Sequence, residues 1–155
     1  MADKYILNED KAKGSCVSFK AHKALQRGAL LEIDGMSDSV LGNGDFELYK
    51  VKDASATTKR GNLLVNIAVP KMYDERLTER DFEVAKDEAG RGRNPEPHCV
   101  HTIAKSLVSG SPEAGWMLKL GDGVFEQDSS GESAIAIVEE VFNWKGQDSV
   151  RIRYI

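Results

Sequence analysis

The sequence predicts a mainly β fold, a compact antiparallel β-barrel or sandwich, on three observations. Short apolar or alternating runs recur along the chain. Clusters of Gly, Asn and Asp separate them, and the last run alternates with a period of two. The first half supplies "CVSF" (16–19), "ALLEI" (29–33), "FELYKV" (46–51) and "NLLVNIAV" (62–69). The second half supplies "CVHTIA" (99–104), "WMLKL" (116–120), "AIAIVEEVF" (134–142) and "VRIRYI" (150–155). Turn chemistry stands at 42–45 (Gly-Asn-Gly-Asp), 121–123 (Gly-Asp-Gly) and 145–148 (Lys-Gly-Gln-Asp). The final pair is the clearest hairpin: Val150, Ile152 and Tyr154 face one way, Arg151 and Arg153 the other. "AIAIVEEVF" reads as a strand, with a short helix as the alternative because Ile135, Val138 and Phe142 also fall at spacings of three and four.

The two halves share a pattern. Cys16-Val17, a connection, Gly28 and "ALLEIDG" is echoed by Cys99-Val100, a longer connection, Gly115 and "WMLKLGDG". Eight strands in two related β halves are enough to close a small barrel or sandwich.

Between the halves runs a charged excursion, 70–97, in which half of the residues carry charge. It reads as a charged loop or as one short helix over 78–89. The helix reading rests on a capping box from Thr78 to Asp81, an apolar stripe of Phe82, Ala85 and Ala89, and a stop at Gly90. Such a segment buries too little apolar surface to order itself, so contact with another surface is expected to hold it, with Tyr73, Leu77 and Phe82 as anchors. The N-terminal residues 1–14, with Tyr5, Ile6 and Leu7 as an apolar clip, read as an arm toward a neighbour or as a frayed end.

A chain of 155 residues, 41% hydrophobic and 30% charged, is expected to form a single β-rich domain over 1–155. Its net charge of -4 gives no global field for nucleic acid. No run approaches the ~18 apolar residues of a membrane span, and no secretory signal opens the chain, so a cytosol-like site of synthesis is expected. Cys16 and Cys99 are expected as reduced, buried thiols.

Candidate chemistry is thin. Gly90 and Gly92 lack the spacing of a phosphate-binding loop. "HCVH" places Cys99 and His101 on one face of a strand and His98 on the other. With Cys16 and His22 as the remaining Cys and His, ordinary strand residues are the expectation and a zinc site, hence a small zinc-dependent enzyme, the rival. A cysteine nucleophile lacks an orienting group, the serines lack a GxSxG elbow, and no cofactor, metal or catalytic residue is expected. Trp116, Trp144 and Tyr154 are sugar-stacking candidates, with core aromatics as the commoner role. Arg91 and Arg93 are flanked by Asp87, Glu88 and Glu96, which cancels the field that phosphate needs and fits a protein partner.

The run Tyr73-Asp74-Glu75-Arg76, then Asp81-Phe82, Ala89-Gly90 and Arg93, followed by a β-rich tail ending in "RIRYI", resembles the auxiliary capsid (decoration or head-structural) proteins of tailed bacteriophages. The resemblance covers roughly 62–93; past Arg93 the chain departs from it, with "NPEPHCVHTIA" where a Gly-Asp pair and an aromatic are usual. It implies a non-enzymatic virion structural protein, assembled in the host cytoplasm, that binds the major capsid protein lattice on the capsid surface and stabilises it. Self-association, a trimer included, is implied as well, with neither nucleic acid nor membrane as partner. Tyr73, Arg76, Arg80, Phe82, Arg91 and Arg93 are the expected contact residues. A tail-tube or connector subunit is the alternative within the same class of particle.

Overall fold

A computed structural model describes residues 6, 14–36, 48–68 and 82–155. Its strands in chain order are β1 (Gly14–Lys20), β2 (Leu25–Gln26), β3 (Leu30–Met36), β4 (Leu48–Asp53), β5 (Leu63–Asn66), β6 (Glu83–Val84), β7 (Ala89–Pro95), β8 (Val100–Ala104), β9 (Met117–Leu120), β10 (Phe125–Gln127), β11 (Ala136–Trp144) and β12 (Gln147–Tyr154). The protein is mainly β, as the sequence predicts, and "AIAIVEEVF" is strand rather than helix. Five strands close a barrel in the order β1-β4-β3-β5-β7, and five more form an open sheet in the order β10-β9-β11-β12-β8. The short β2 and β6 pair with each other.

Strand β5 and the start of β3, Leu30 and Leu31, are apolar without alternation because both of their faces are buried there. Leu31 and Leu64 point into the barrel with Phe19 and Val51, while Leu30, Leu63 and Val65 join Phe125, Val150 and Tyr154 of the open sheet in a second cluster. The polar interruption in "NLLVNIAV" also has a task. Asn66 is fully buried; its Nδ2 donates to the carbonyls of Leu25 (3.3 Å) and Gln26 (2.9 Å), and its Oδ1 accepts from the Ala68 amide (3.1 Å). One amide side chain thereby ties the β2 turn to the end of β5.

Four sequence expectations change. The barrel is not wholly antiparallel, since β1 and β4 run parallel from Ser18↔Leu48 to Lys20↔Lys50. The two sheets do not repeat one topology: one closes on itself with a parallel pair, the other is open and antiparallel. The helix over 78–89 is absent where the chain is described. Residues 83–84 are strand, a turn with Asp87 at φ 68° follows, and β7 begins at Ala89. The charged excursion therefore supplies a barrel stave, β7, which pairs with β1 from Gly14↔Pro95 to Lys20↔Ala89 and with β5 at Val65↔Arg93 and Asn66↔Gly92. Finally, Ile6 does not reach for a neighbour. It is buried in the chain's own core, bridges Ile103, and its carbonyl accepts from Arg27 Nη1 at 3.2 Å.

Gly90 is no helix stop. It sits inside the barrel opposite Phe19, and a Cβ there would lie 2.5 Å from the Phe19 ring, while one on Gly92 would lie 3.2 Å from Leu64 Cβ. The Gly-Arg-Gly-Arg run is thus a period-two strand whose inward positions are left empty for a neighbouring ring.

Candidate interaction surface

With Gly90 and Gly92 turned inward, the alternation of β7 sends Arg91 and Arg93 to the outer face of the barrel. The two arginines then differ. Arg91 is exposed. Arg93 is half-buried, and its Nη1 donates to the Gly14 carbonyl at 2.7 Å, holding the start of β1 against the end of β7. Phe82, where the chain returns to the barrel, is half-buried against the barrel-interior cluster. Next to it Glu83 accepts from Gln26 Nε2 at 3.2 Å across the β2–β6 pair. Tyr73, Arg76 and Arg80, like the turn at 42–45 and residues 1–5 and 7–13 of the arm, lie outside the described residues. The structure thus brings Arg91 and Arg93 onto one strand face and gives Arg93 an internal task that its spacing did not reveal.

Beside Glu83 a cleft of about 520 Å3 opens between the turn at Lys23–Gln26 and the loop at Asp122–Val124. Its lip carries a charged set: Lys23 Nζ donates to Asp53 Oδ2 at 2.6 Å, and His22 Nε2 lies 3.2 Å from Asp53 Oδ1. Partial burial works to raise the Asp53 carboxyl, but the hydrogen bond and charge of Lys23, followed by those of His22, bring it below its ordinary value. On the open sheet, the Asp128 carboxylate accepts from the Ser130 hydroxyl at 2.8 Å and from the amides of Ser130 and Ser133, at 3.2 and 2.8 Å. The Ser130 hydroxyl leads the groups that lower this carboxyl, over a weaker opposing effect of burial.

Both lowered carboxyls stabilise the folded state above their unfolded value, and that contribution is lost as pH falls through the folded one. Stability is therefore expected to drop below about pH 4. Asp128→Asn should shrink the difference in Tm between neutral and acidic solution, and Asp53→Asn should shrink it less because its ion pair is half-exposed. Thermal unfolding of the three proteins between pH 7 and pH 2.5 checks this; parallel acid limbs in all three would contradict it.

The "HCVH" segment is core. Cys99 and His101 share a face, as their spacing predicts, and both are fully buried. His101 Nε2 lies 3.6 Å from Cys99 Sγ, and its Nδ1 lies 3.2 Å from the Tyr154 hydroxyl, whose ring meets the imidazole edge-on at 5.3 Å. His98 is exposed at φ 69°, on the turn into β8. Cys16 is half-buried and Cys99 buried, both as thiols outside any disulfide. Among the described residues no group of three or more His, Cys, Asp or Glu is arranged to hold a metal ion, and no helix is long and apolar enough to cross a membrane.

Of the aromatic candidates, Tyr154 is buried, Trp116 packs against the shared core, and Trp144 is exposed at the tip of the β11–β12 hairpin. That hairpin turned out to hold more exposed apolar surface than the sequence suggested. Val141 and Trp144 are the exposed large hydrophobic residues among those described, and both lie on it. Beside them Arg151 pairs with Glu140 at 2.8 Å and stacks over Phe142 at 5.1 Å, while Arg153 pairs with Glu139 at 2.5 Å.

These features describe a barrel fused to an open antiparallel sheet through a common core, with charged and aromatic groups displayed on its outer strands and ribbon. No protein-family model matches the chain, and no curated protein does. Among solved structures, the chain is similar to the head fiber gp8.5 N base of bacteriophage phi29, with 12% identity and a TM-score of 0.49 over 92% of this chain and 95% of that one.

Proposed function

We propose that this protein is a non-enzymatic structural component of a tailed-bacteriophage virion that sits on the capsid surface and reinforces it by binding the major capsid protein lattice. The reading is supported by the motif resemblance over 62–93 and by one observation of geometry. Arg91 stands exposed on a closed-barrel stave whose backbone is fixed on both sides by β1 and β5. On a rigid wall the backbone is ordered before binding, so engaging a carboxylate costs only the freedom of the arginine side chain itself, and the planar guanidinium can pair in two-pronged fashion. A shell repeats one site many times, so modest patches gain occupancy when copies also touch one another.

The test is co-sedimentation of the purified chain with expanded, unexpanded and empty shells of the phage that encodes it. Saturable binding is expected, and Arg91→Glu should weaken it roughly 30-fold, the equivalent of an interface hot spot of about 2 kcal/mol. Arg93→Gln should chiefly lower stability, because its bond to Gly14 is internal. Absence of association with every shell would reject the proposal. Particles made without the protein separate the tail-tube or connector alternative: lost tails favour that role, intact but fragile heads the capsid role.

A further inference from the structure

The β11–β12 ribbon extends past the sheet that carries it. Strand β9 pairs with β11 only at Ala136 and Ile137, and Val138 makes the last backbone bonds on that side, with Trp116 and Gly115. Among the described residues, nothing pairs with the outer edge of β11 from Glu139 to Trp144.

The turn sets which backbone groups face that edge. Lys145 (φ 47°) and Gly146 (φ 84°) form a two-residue type I′ connection between Trp144 and Gln147. Counting back from this pair, Trp144, Phe142 and Glu140 exchange hydrogen bonds with β12, so the amides and carbonyls of Val141 and Asn143 point away from it. From 141 to 144 the edge carries neither Pro nor a charged residue, since Glu139, Glu140 and the bulge at Val138/Glu140 all precede it. Val141 and Trp144 add exposed apolar surface, at 37% and 44%.

We propose that two copies of this chain pair here, β11 against β11, antiparallel about a twofold axis at Phe142. In this register Val141 of each copy lies opposite Asn143 of the other, so the outward amides and carbonyls of both residues meet. Glu140 lies opposite Trp144, and at both ends Lys145 comes next to the bulged Glu139 of the other copy, joining the half-exposed pair that Glu139 makes with Arg153. A slip of two residues in either direction removes the Glu139–Lys145 match, so charge selects the register. The pairing involves no shell, and its failure would leave the capsid reading untouched.

Sedimentation velocity of the purified full chain is expected to show a concentration-dependent monomer–dimer equilibrium. Val141→Pro should abolish the dimer and leave circular dichroism unchanged, because the amide it removes is not part of the hairpin ladder. Lys145→Glu should raise the dissociation constant several-fold. In a Cys16→Ser background, Phe142→Cys should form an intermolecular disulfide, since directly opposed residues of this type lie about 4.5 Å apart at Cα, within disulfide reach. Asn143→Cys should not, its symmetry mates being about 8 Å apart from strand spacing. A wild-type monomer at every concentration overturns the proposal, as does a dimer that survives Val141→Pro, or equal cross-linking at 142 and 143. Should Val141→Pro misfold, the cysteine pair still decides.

Discussion

Phe19→Ala is expected to destabilise the protein by about 3–5 kcal/mol, the upper range for removing a buried aromatic ring. The ring is wholly buried inside the barrel, where β7 offers it only Gly90 and Gly92. Glycine has no side chain to move into the vacated volume, so the hole persists, and persistent holes are what make such substitutions costly. The complementary change, Gly90→Ala, forces a methyl to within 2.5 Å of the ring and should cost about 1–3 kcal/mol by overpacking. Because both act on one volume, Phe19→Leu with Gly90→Ala should cost less than the sum of its parts, by about 0.5–3 kcal/mol. Urea unfolding of wild type, Phe19→Leu, Gly90→Ala and the double variant measures the coupling. Additivity within about 0.5 kcal/mol would mean that ring and glycine do not share a space.

That pair also explains why one stave was illegible in the sequence. A strand is read from alternating apolar residues, but in "AGRGR" the inward positions are glycines, and the apolar group that fills them belongs to β1. Pattern reading saw charge with glycine and produced a loop or a helix stop. The strands that fill their own side of the core, such as β12 with Val150, Ile152 and Tyr154, were read correctly together with their facing. The burial of Ile6 against Ile103 was out of reach for a related reason: a three-residue apolar clip in a polar stretch is too short to show a period, and the partner of Ile6 is 97 positions away. The candidate surface was legible in part. The outward pair Arg91 and Arg93 follows from alternation once β7 is known to be a strand, whereas the internal bond of Arg93 to Gly14 is a tertiary fact. The open edge of β11 needed the strand order, since only that reveals how soon β9 stops.

Phe125→Ala carries a comparable expected loss, about 3–5 kcal/mol, but spread differently. Phe125 is fully buried in the cluster to which the barrel contributes Leu30, Leu63 and Val65 and the open sheet Val150, Ile152 and Tyr154. Its ring lies 6.4 Å from that of Tyr154, edge to face. If barrel and sheet fold as one cooperative unit, a cavity in the sheet lowers the stability of both by the same amount. The chain is arranged to report on this, because Trp116 and Trp144 both belong to the second half, so their fluorescence follows the open sheet. Amide exchange along the β1–β7 pairing follows the barrel. The expected outcome is that Phe125→Ala shifts the Trp transition and the slowest β1–β7 exchange by equal free energies. Barrel amides that keep wild-type protection while the Trp transition moves would divide the chain into two units. Arg60 would then be the place to look for the seam, since its guanidinium reaches from the barrel side to the Ile155 carbonyl.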